Sequence, residues 1–300
     1  MMGLCEGRVA IVTGAGRGLG RAHALALAKQ GAKVVVNDLG SAASGEGVDT
    51  SPAEQVVAEI KAMGGQAIVD TSDAASWAGA QAMVDAAIGQ LGGLDIIVNN
   101  AGILRDRMLV NMTEDEWDSV IRVHMKSTFA VTNRAAQYWR AEAKEGRMPD
   151  ARVINTTSHS GLYCNIGQAN YAAAKAGIAS FSIVAARELQ RYGVTVNAIA
   201  PRATTRMTEG LREWDDEALR MRDPDWVATL VAWLASPESK DISGRVFEAW
   251  GYGITIAESW QHGATTPASL DPTTLGAGIM EAHRNSRKNA GINIGEELDP

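Results

Sequence analysis

Short apolar runs rich in β-branched residues alternate along the chain with longer stretches whose apolar positions recur at helical spacing. Val9–Thr13, Lys33–Asn37, Ala67–Val69, Asp95–Val98, Arg152–Thr156, Thr195–Ile199 and Arg245–Glu248 read as strands. Most are near-continuous apolar runs, the pattern of strands covered on both faces. Between them, Gly18–Gln30, Pro52–Met63, Ser76–Leu91, Glu114–Glu142, Ala169–Tyr192 and Pro224–Ala235 read as helices. Pro52 after Ser51, and Pro224 after Asp223, put a capping side chain ahead of a proline in the first turn. The repeated alternation predicts an α/β fold, a doubly wound parallel sheet of about seven strands flanked by helices. Each right-handed crossover needs a helix to bring the chain back.

Three stretches break the rhythm. Leu39–Ser51 is rich in Gly and Ser and is expected to form a surface loop. Thr204–Asp223 carries the acidic run Glu213-Trp214-Asp215-Asp216-Glu217. From Gln261 to Pro300 the chain is polar with scattered Gly, and its pattern assigns it no place in a sheet. It reads either as a tail wrapping a neighbouring subunit or as loose chain. The expected organisation is one domain over residues 1–260 and a C-terminal extension over 261–300.

Composition narrows the function classes. The 300 residues hold 28 Lys plus Arg against 35 Asp plus Glu, a formal charge of −7 with no basic run. That argues against a general nucleic-acid or anionic-membrane binder. Apolar residues make up 46% of the chain, enough for a substantial core. No window approaches roughly 18 uninterrupted apolar residues, so no membrane span is expected. The N-terminal residues Met1 to Arg8 contain no apolar signal core. Cys5 and Cys164 make neither a disulfide framework nor a metal-ligand set, so no metal is expected and a cytoplasmic, reducing location is.

The candidate chemistry begins at Thr13-Gly14-Ala15-Gly16-Arg17-Gly18-Leu19-Gly20, between the first predicted strand and helix. Glycines there let the backbone turn tightly and approach a pyrophosphate, while free helix N–H groups favour its charge. The spacing is Gly-x-x-x-Gly-x-Gly, not Gly-x-Gly-x-x-Gly, so that fingerprint is not claimed. Asp38 follows the second strand about twenty residues on, where a carboxylate accepts hydrogen bonds from an adenosine ribose. That carboxylate repels a 2′-phosphate, whereas Arg17 in the loop would attract one. Close like charges in a partly buried site are costly and Arg17 is free to face water, so NAD is expected over NADP.

Tyr171 and Lys175 lie at i and i+4 on a predicted helix and share a face. An ammonium near a phenol favours the phenolate, and a tyrosine so tuned passes a proton to or from an alcohol at neutral pH. Ser158 lies thirteen residues before Tyr171, just past the end of the fifth strand, where its hydroxyl could hold a substrate oxygen. Thr13–Gly20, Asn99-Asn100-Ala101-Gly102, Ser158 and Tyr171-Ala172-Ala173-Ala174-Lys175 occur in the order and spacing of the short-chain dehydrogenase/reductase family. The chain resembles that family over roughly residues 4–257.

The resemblance implies a single Rossmann-like domain, assembled as a homodimer or homotetramer, that moves a hydride between a nicotinamide and an alcohol or ketone. Tyr171 would be the acid/base, and Lys175 would lower its pKa and bind the nicotinamide ribose. Ser158 would polarise the substrate carbonyl. Gly14, Arg17, Gly18, Leu19 and Gly20 would face the pyrophosphate. Asn99-Asn100-Ala101-Gly102 would form part of the adenine-ribose wall, Asp73 would contact the adenine, and Pro201 would open the segment passing the nicotinamide.

Within the family, Val35 to Gly40, Asn100 to Arg107, Arg122-Val123-His124, Gly167 to Tyr171, Ile199-Ala200-Pro201 and Arg206-Met207-Thr208 are similar to the dehydrogenase region of peroxisomal multifunctional enzyme type 2. That branch oxidises 3-hydroxyacyl-CoA with NAD, and relatives accept hydroxysteroids. No hydratase or sterol-carrier region accompanies it here, so a free-standing dehydrogenase is expected.

There are departures. His124 stands where many members have an Asn holding a water in a proton relay; histidine can hold a water, carry the proton, or be a satisfied core residue. Pro201-Arg202 replaces the usual Pro-Gly. Arg206 stands where a threonine is usual, leaving Thr205 or Thr208 to meet the carboxamide.

Other features weigh less. His159 beside Ser158 suggests a nucleophile–base pair, but adjacent strand-end residues diverge and no Asp partner is evident. Arg105 and Arg107 would attract a CoA phosphate or simply face solvent. Met207, Leu211 and Trp214 would line a lid or a subunit contact.

The expected function is an NAD-dependent oxidoreductase acting on a 3-hydroxyacyl-CoA or a hydroxysteroid. The alternatives are an NADP-linked ketone or 3-oxoacyl reductase, and a non-catalytic nucleotide-binding regulator or scaffold. The intact Ser158, Tyr171 and Lys175 argue against the last.

Overall fold

In each central strand, alternate side chains feed two different cores. Ala10 and Val12 of β1 (Val9–Thr13) pack with Val34 and Val36 of β2 (Lys33–Asn37) and with Ile96 and Val98 of β4 (Ile96–Asn99) on one side. On the other side, Val9 and Ile11 pack with Val35, Ile97 and Val153. Burial on both faces is what makes these strands read as unbroken apolar runs. A computed structural model describes residues 3–40, 51–204, 215–293 and 296–298.

With β3 (Ala67–Asp70), β5 (Ala151–Thr156), β6 (Val194–Pro201) and β7 (Val246–Trp250), these strands form a parallel sheet. Its order is β3-β2-β1-β4-β5-β6-β7, and an antiparallel β8 (Gly253–Ala257) closes it at eight strands. The doubly wound parallel reading therefore holds, with one strand more than the pattern suggested. Residues 253–256 of β8 are exposed, so the strand lacks the apolar run that marked the others.

Leu27 of α1 (Gly18–Lys29), Ile60 of α2 (Ser51–Ala62) and Leu234 of α9 (Pro224–Leu234) cover the first face. Met83 of α3 (Trp77–Ala86), Trp139 of α5 (Ser127–Lys144) and Ala185 of α7 (Ala169–Leu189) cover the second. Capping side chains set several starts: Ser76 accepts from the Gly79 amide, and Asp223 ahead of Pro224 accepts from the Asp225 amide. Thr113 and Glu116 form a reciprocal capping box on α4 (Glu114–Ile121).

The single helix expected over Glu114–Glu142 is interrupted. α4 passes into a π-helical turn, Arg122–Lys126, before α5 resumes the α-helical ladder. A second such turn, Ala87–Leu91, ends the α3 segment. Two short helices also escaped the pattern, α6 (His159–Tyr163) and α8 (Asp216–Met221).

The chain divides into two compact units, residues 1–257 and 258–300. The second carries α10 (Pro272–Arg284), started by Asp271, and a two-stranded antiparallel pair, Asn289–Ala290 with Glu297–Leu298. None of the buried apolar side chains of the described residues belongs to it.

Candidate active site

Between β1 and β4 the strand order reverses direction, and the loops leaving the C-terminal ends of those strands part to leave a crevice. β1 ends in Thr13, whose Oγ1 accepts hydrogen bonds from the amides of Asn100 (3.0 Å) and Ala101 (3.1 Å). Asn100 Nδ2 reaches back to the carbonyls of Thr13 (3.1 Å) and Gly14 (3.2 Å). The Asn100 side chain is therefore spent on holding the glycine loop, and what it offers the crevice is its position beside Ala101 and Gly102. Gly14 has φ +62°, and a Cβ on Gly20 would lie 2.1 Å from the Gly14 carbonyl oxygen, so the loop closes only on glycine.

Arg17 precedes α1 without capping it through its side chain, leaving first-turn N–H groups for an anion. Asp38, at the end of β2, accepts from the Gly16 amide through Oδ2 and from the Gly40 amide through Oδ1, each at 2.8 Å. The carboxylate is thus fixed at the lip of the glycine loop. Asp73 accepts from the Ala75 amide at 2.9 Å and pairs with Arg122.

At the other end of the crevice, β5 delivers Ser158 as the N-cap of α6, its Oγ accepting from the Ser160 amide at 3.2 Å. Tyr171 and Lys175 stand one turn apart on α7, and Ser158 and Tyr171 line the same cleft. Lys175 Nζ lies 5.6 Å from the Tyr171 ring centre and donates to the Thr156 carbonyl at 2.6 Å. The Thr157 hydroxyl bonds the Lys175 carbonyl at 2.6 Å, tying β5 to α7. A Cβ on Gly161 would come within 2.6 Å of the Lys175 backbone, so α6 rests on α7 backbone to backbone.

Burial dominates the electrostatics. It pushes the Tyr171 phenol up to about 12, with the Ser158 hydroxyl pulling the other way, and it pushes Lys175 down to about 7. The net direction for the tyrosine is upward, because loss of water outweighs the pull of the Ser158 hydroxyl. His124 sits in the π-helical turn and is held neutral by burial, with the Lys175 charge adding to the effect. Its Nε2 lies 2.8 Å from the Ile103 carbonyl and 3.1 Å from the Ile103 amide. Its Nδ1 has no protein partner, and its ring meets Tyr171 edge-on at 5.1 Å.

One cleft of about 450 Å³ collects these groups, within the roughly 300–1,000 Å³ usual for ligand sites. Its lining includes Gly14, Arg17, Gly18, Leu19, Gly20, Asp38, Asp73, Asn100, Ala101, Gly102, His124, Ser158, Tyr171, Lys175 and Pro201. Asn99, expected in the same wall, does not line the cleft: it is buried beneath it. His159 turns instead toward Glu248 of β7, at 2.9 Å, so it makes no nucleophile–base pair with Ser158. Arg107 pairs with Glu116 at 3.1 Å. Thr205, Arg206, Met207, Thr208, Leu211 and Trp214 lie outside the described residues.

Asn99 supports the site from below rather than walling the ribose, and its partners Thr132, Asn155 and Ser182, like Asn170, were missed in the sequence. Asn99 Nδ2 donates to Thr132 Oγ1 (3.0 Å) and Asn155 Oδ1 (2.8 Å), and Asn155 passes the chain on to Ser182 (2.9 Å). These bonds lock β4 and β5 to α5 and α7 beneath the cleft. The available signal was a polar residue closing each of two neighbouring apolar strands, in register with one another. Buried Asn170 holds the carbonyls of Arg105 (3.0 Å) and Glu116 (2.9 Å) and accepts from the Tyr171 amide (2.7 Å), fixing the start of α7.

A nicotinamide dinucleotide fits these residues. The glycine loop leaves no room for side chains, uncapped helix amides face an anion, and a fixed carboxylate stands where a ribose would lie.

Known proteins agree with that geometry. The family described as short chain dehydrogenase matches residues 8–216. The chain is 45% identical over 285 residues to hydroxyacyl-CoA dehydrogenase ChsB1 of Mycobacterium tuberculosis, covering 92% of this chain and 88% of that protein. It is 43% identical over 244 residues to peroxisomal multifunctional enzyme type 2 of Mus musculus, covering 81% of this chain but 31% of that longer protein. A crystal structure of a short chain dehydrogenase from Mycobacterium avium matches with a TM-score of 0.87 and 46% identity, covering 96% of this chain and 99% of that one. Likeness of this extent, on top of a cleft that gathers the glycine loop at one end and Ser158, Tyr171 and Lys175 at the other, means that the chain is an oxidoreductase of the short chain dehydrogenase family.

Proposed function

We propose that this enzyme moves a hydride between NAD and the secondary hydroxyl of a 3-hydroxyacyl-CoA, with hydroxysteroids as the neighbouring substrate class. The observation that carries the reading is the gathering of Ser158, Tyr171 and Lys175 in one cleft wall, with Lys175 Nζ 5.6 Å from the tyrosine ring centre. Similarity to proteins named as hydroxyacyl-CoA dehydrogenase and as peroxisomal multifunctional enzyme type 2 supports the acyl-CoA class. When bound, a nicotinamide ring accepts or supplies the hydride. Ser158 holds the substrate oxygen. Tyr171 removes the hydroxyl proton in oxidation and returns it in reduction.

Lys175, held between the Thr156 carbonyl and the tyrosine ring, binds the nicotinamide ribose and favours the phenolate whenever it is protonated. His124, neutral and with Nδ1 unpartnered beside Tyr171, relays a proton through a water. Gly14, Arg17, Gly18, Leu19 and Gly20 cradle the pyrophosphate, Asn100, Ala101 and Gly102 wall the adenine ribose, Asp73 meets the adenine, and Pro201 flanks the nicotinamide. Asp38 accepts from the ribose hydroxyls and disfavours a 2′-phosphate. Arg17, lining the same cleft, supports the second reading, an NADP-linked ketone or 3-oxoacyl reductase.

Assembly as a homodimer or homotetramer is supported by exposed Trp77 and Phe129, stacked at 5.7 Å on α3 and α5, beside exposed Val184 on α7. A cytoplasmic location is supported by the free thiols Cys5 and Cys164. Among the described residues, no helix is long and apolar enough to cross a membrane.

The test is a panel of 3-hydroxyacyl-CoA chain lengths and hydroxysteroids with each dinucleotide, followed by reduced-cofactor absorbance. Tyr171→Phe is expected to bind NAD normally and to lose turnover by about 10³-fold or more. Near-normal turnover in that variant removes the acid/base assignment.

A further inference from the structure

α6 is a five-residue helix that carries Ser158 at its N-cap. Gly161 rests on the α7 backbone and Leu162 packs on the cluster of Ala179, Ala198 and Val246, and polar ties complete the orientation. At its start, the Ser160 hydroxyl donates to Gln168 Oε1 at 2.7 Å. Its remaining grip comes from across the sheet. His159 and Tyr163, four residues apart and so on one face of the helix, both reach the carboxylate of Glu248 on β7. Oε2 lies 2.9 Å from His159 Nε2, and Oε1 accepts from the Tyr163 hydroxyl at 2.5 Å. One buried side chain thus takes hold of both ends of the helix, one oxygen to each.

Glu248 is a charged residue inside an otherwise apolar buried strand, 7% exposed. A charge in that position is costly unless it is paired and hydrogen-bonded. Burial pushes its pKa up, but the hydrogen bonds from His159 and Tyr163 bring it net below the usual carboxylate value. Arg202, next to cleft-lining Pro201, completes the cluster: its Nε lies 2.9 Å from His159 Nε2, and its guanidinium lies 5.2 Å from the Trp250 ring centre. Arg222 adds a second positive charge, 5.9 Å from the same ring centre. The cluster joins α6 to the chain leaving β6, and neither His159 nor Glu248 is among the residues lining the cleft.

We propose that Glu248 is a positioning residue: by clamping His159 and Tyr163 it fixes α6, and through the N-cap it fixes the Ser158 hydroxyl against Tyr171. This rests on the acid/base reading of Ser158 and Tyr171 given above. A catalytic hydroxyl displaced by an ångström costs about 10²-fold in rate.

The experiment measures turnover, KM and dinucleotide Kd for Glu248→Ala, Glu248→Gln, Ser158→Ala and the double variant Glu248→Ala/Ser158→Ala, in the full chain. Glu248→Ala is expected to lower kcat about 10²-fold with the dinucleotide Kd unchanged. Glu248→Gln should recover most of that loss, because its amide oxygen accepts from the His159 Nε2–H and its NH2 donates to the Tyr163 hydroxyl oxygen. In the Ser158→Ala background, Glu248→Ala should cost little more, since there is no longer a hydroxyl to place.

A wild-type kcat in Glu248→Ala overturns the proposal, as does a full further loss in the Ser158→Ala background, which would mark a general structural role. Wild-type turnover in Ser158→Ala overturns the underlying reading itself, and so is told apart from failure of the clamp alone. Tyr163→Phe cuts one arm without opening a cavity and is expected to lower kcat roughly two- to tenfold, which keeps the clamp testable even where Glu248→Ala does not fold.

Discussion

Asp38 is tied to the Gly16 and Gly40 amides, so its charge stays at the lip of the glycine loop and does not swing into solvent. Fixed charge at a ribose site is what discriminates a hydroxyl from a phosphate. Asp38→Asn keeps an acceptor for one of those amides and removes the charge. On the proposed role of Asp38, it is expected to raise NADP affinity relative to NAD by roughly tenfold or more, read from the two dissociation constants.

His23 on α1 is fully buried, both ring nitrogens lack hydrogen-bond partners, and burial pushes its pKa down to about 3. The unfolded chain protonates this histidine near its ordinary pKa of 6.5 while the fold does not. Its contribution to stability is therefore complete above pH 6.5 and is lost as pH falls toward 3, with a slope of about 1.4 kcal/mol per pH unit. His23→Leu is expected to flatten that part of the profile, measured as denaturant midpoints between pH 7 and 4.5. An unchanged slope would mean that other groups carry the acid sensitivity.

At the scale of elements, the site depends on contacts between backbones. α6 approaches α7 only because residue 161 has no side chain. Gly161→Ala is expected to lower stability by about 1–3 kcal/mol, the usual cost of overpacking, and to reduce turnover by more than that stability loss implies. Thermal midpoint and kcat measured together separate the two effects. The π-helical turn at Arg122–Lys126 works in the same way, bringing His124 beside Tyr171 where an unbroken helix would carry it round the axis. Register does the rest: Asn99 opposite Asn155 at the ends of β4 and β5 makes the buried polar chain to Ser182 possible.

Across the whole molecule, the two hydrophobic cores belong to residues 1–257, and residues 258–300 contribute no buried apolar side chain among those described. Stability should therefore reside in the first unit. A chain ending at Ala257 is expected to unfold cooperatively within a few degrees of the full chain and to bind dinucleotide equally well, checked by calorimetry and fluorescence titration. A large fall in either would assign the second unit a structural duty in the first.

The seven parallel strands and their helices could be read from local pattern, because burial on both faces writes itself into every residue of a strand and amphipathic spacing into every turn of a helix. That the glycine loop, Asp38, Ser158, Tyr171 and Lys175 share one cleft was foreshadowed by their joint order and spacing, which resemble those of a known family; no single element carried it. β8 was not legible, because an exposed edge strand has no buried face to mark it. The Glu248 clamp, the Asn99–Asn155–Ser182 chain and the upward net shift of Tyr171 were hidden for a shared reason. Each arises between residues tens of positions apart, and distance, register and exclusion of water exist only once the sheet has brought those residues together.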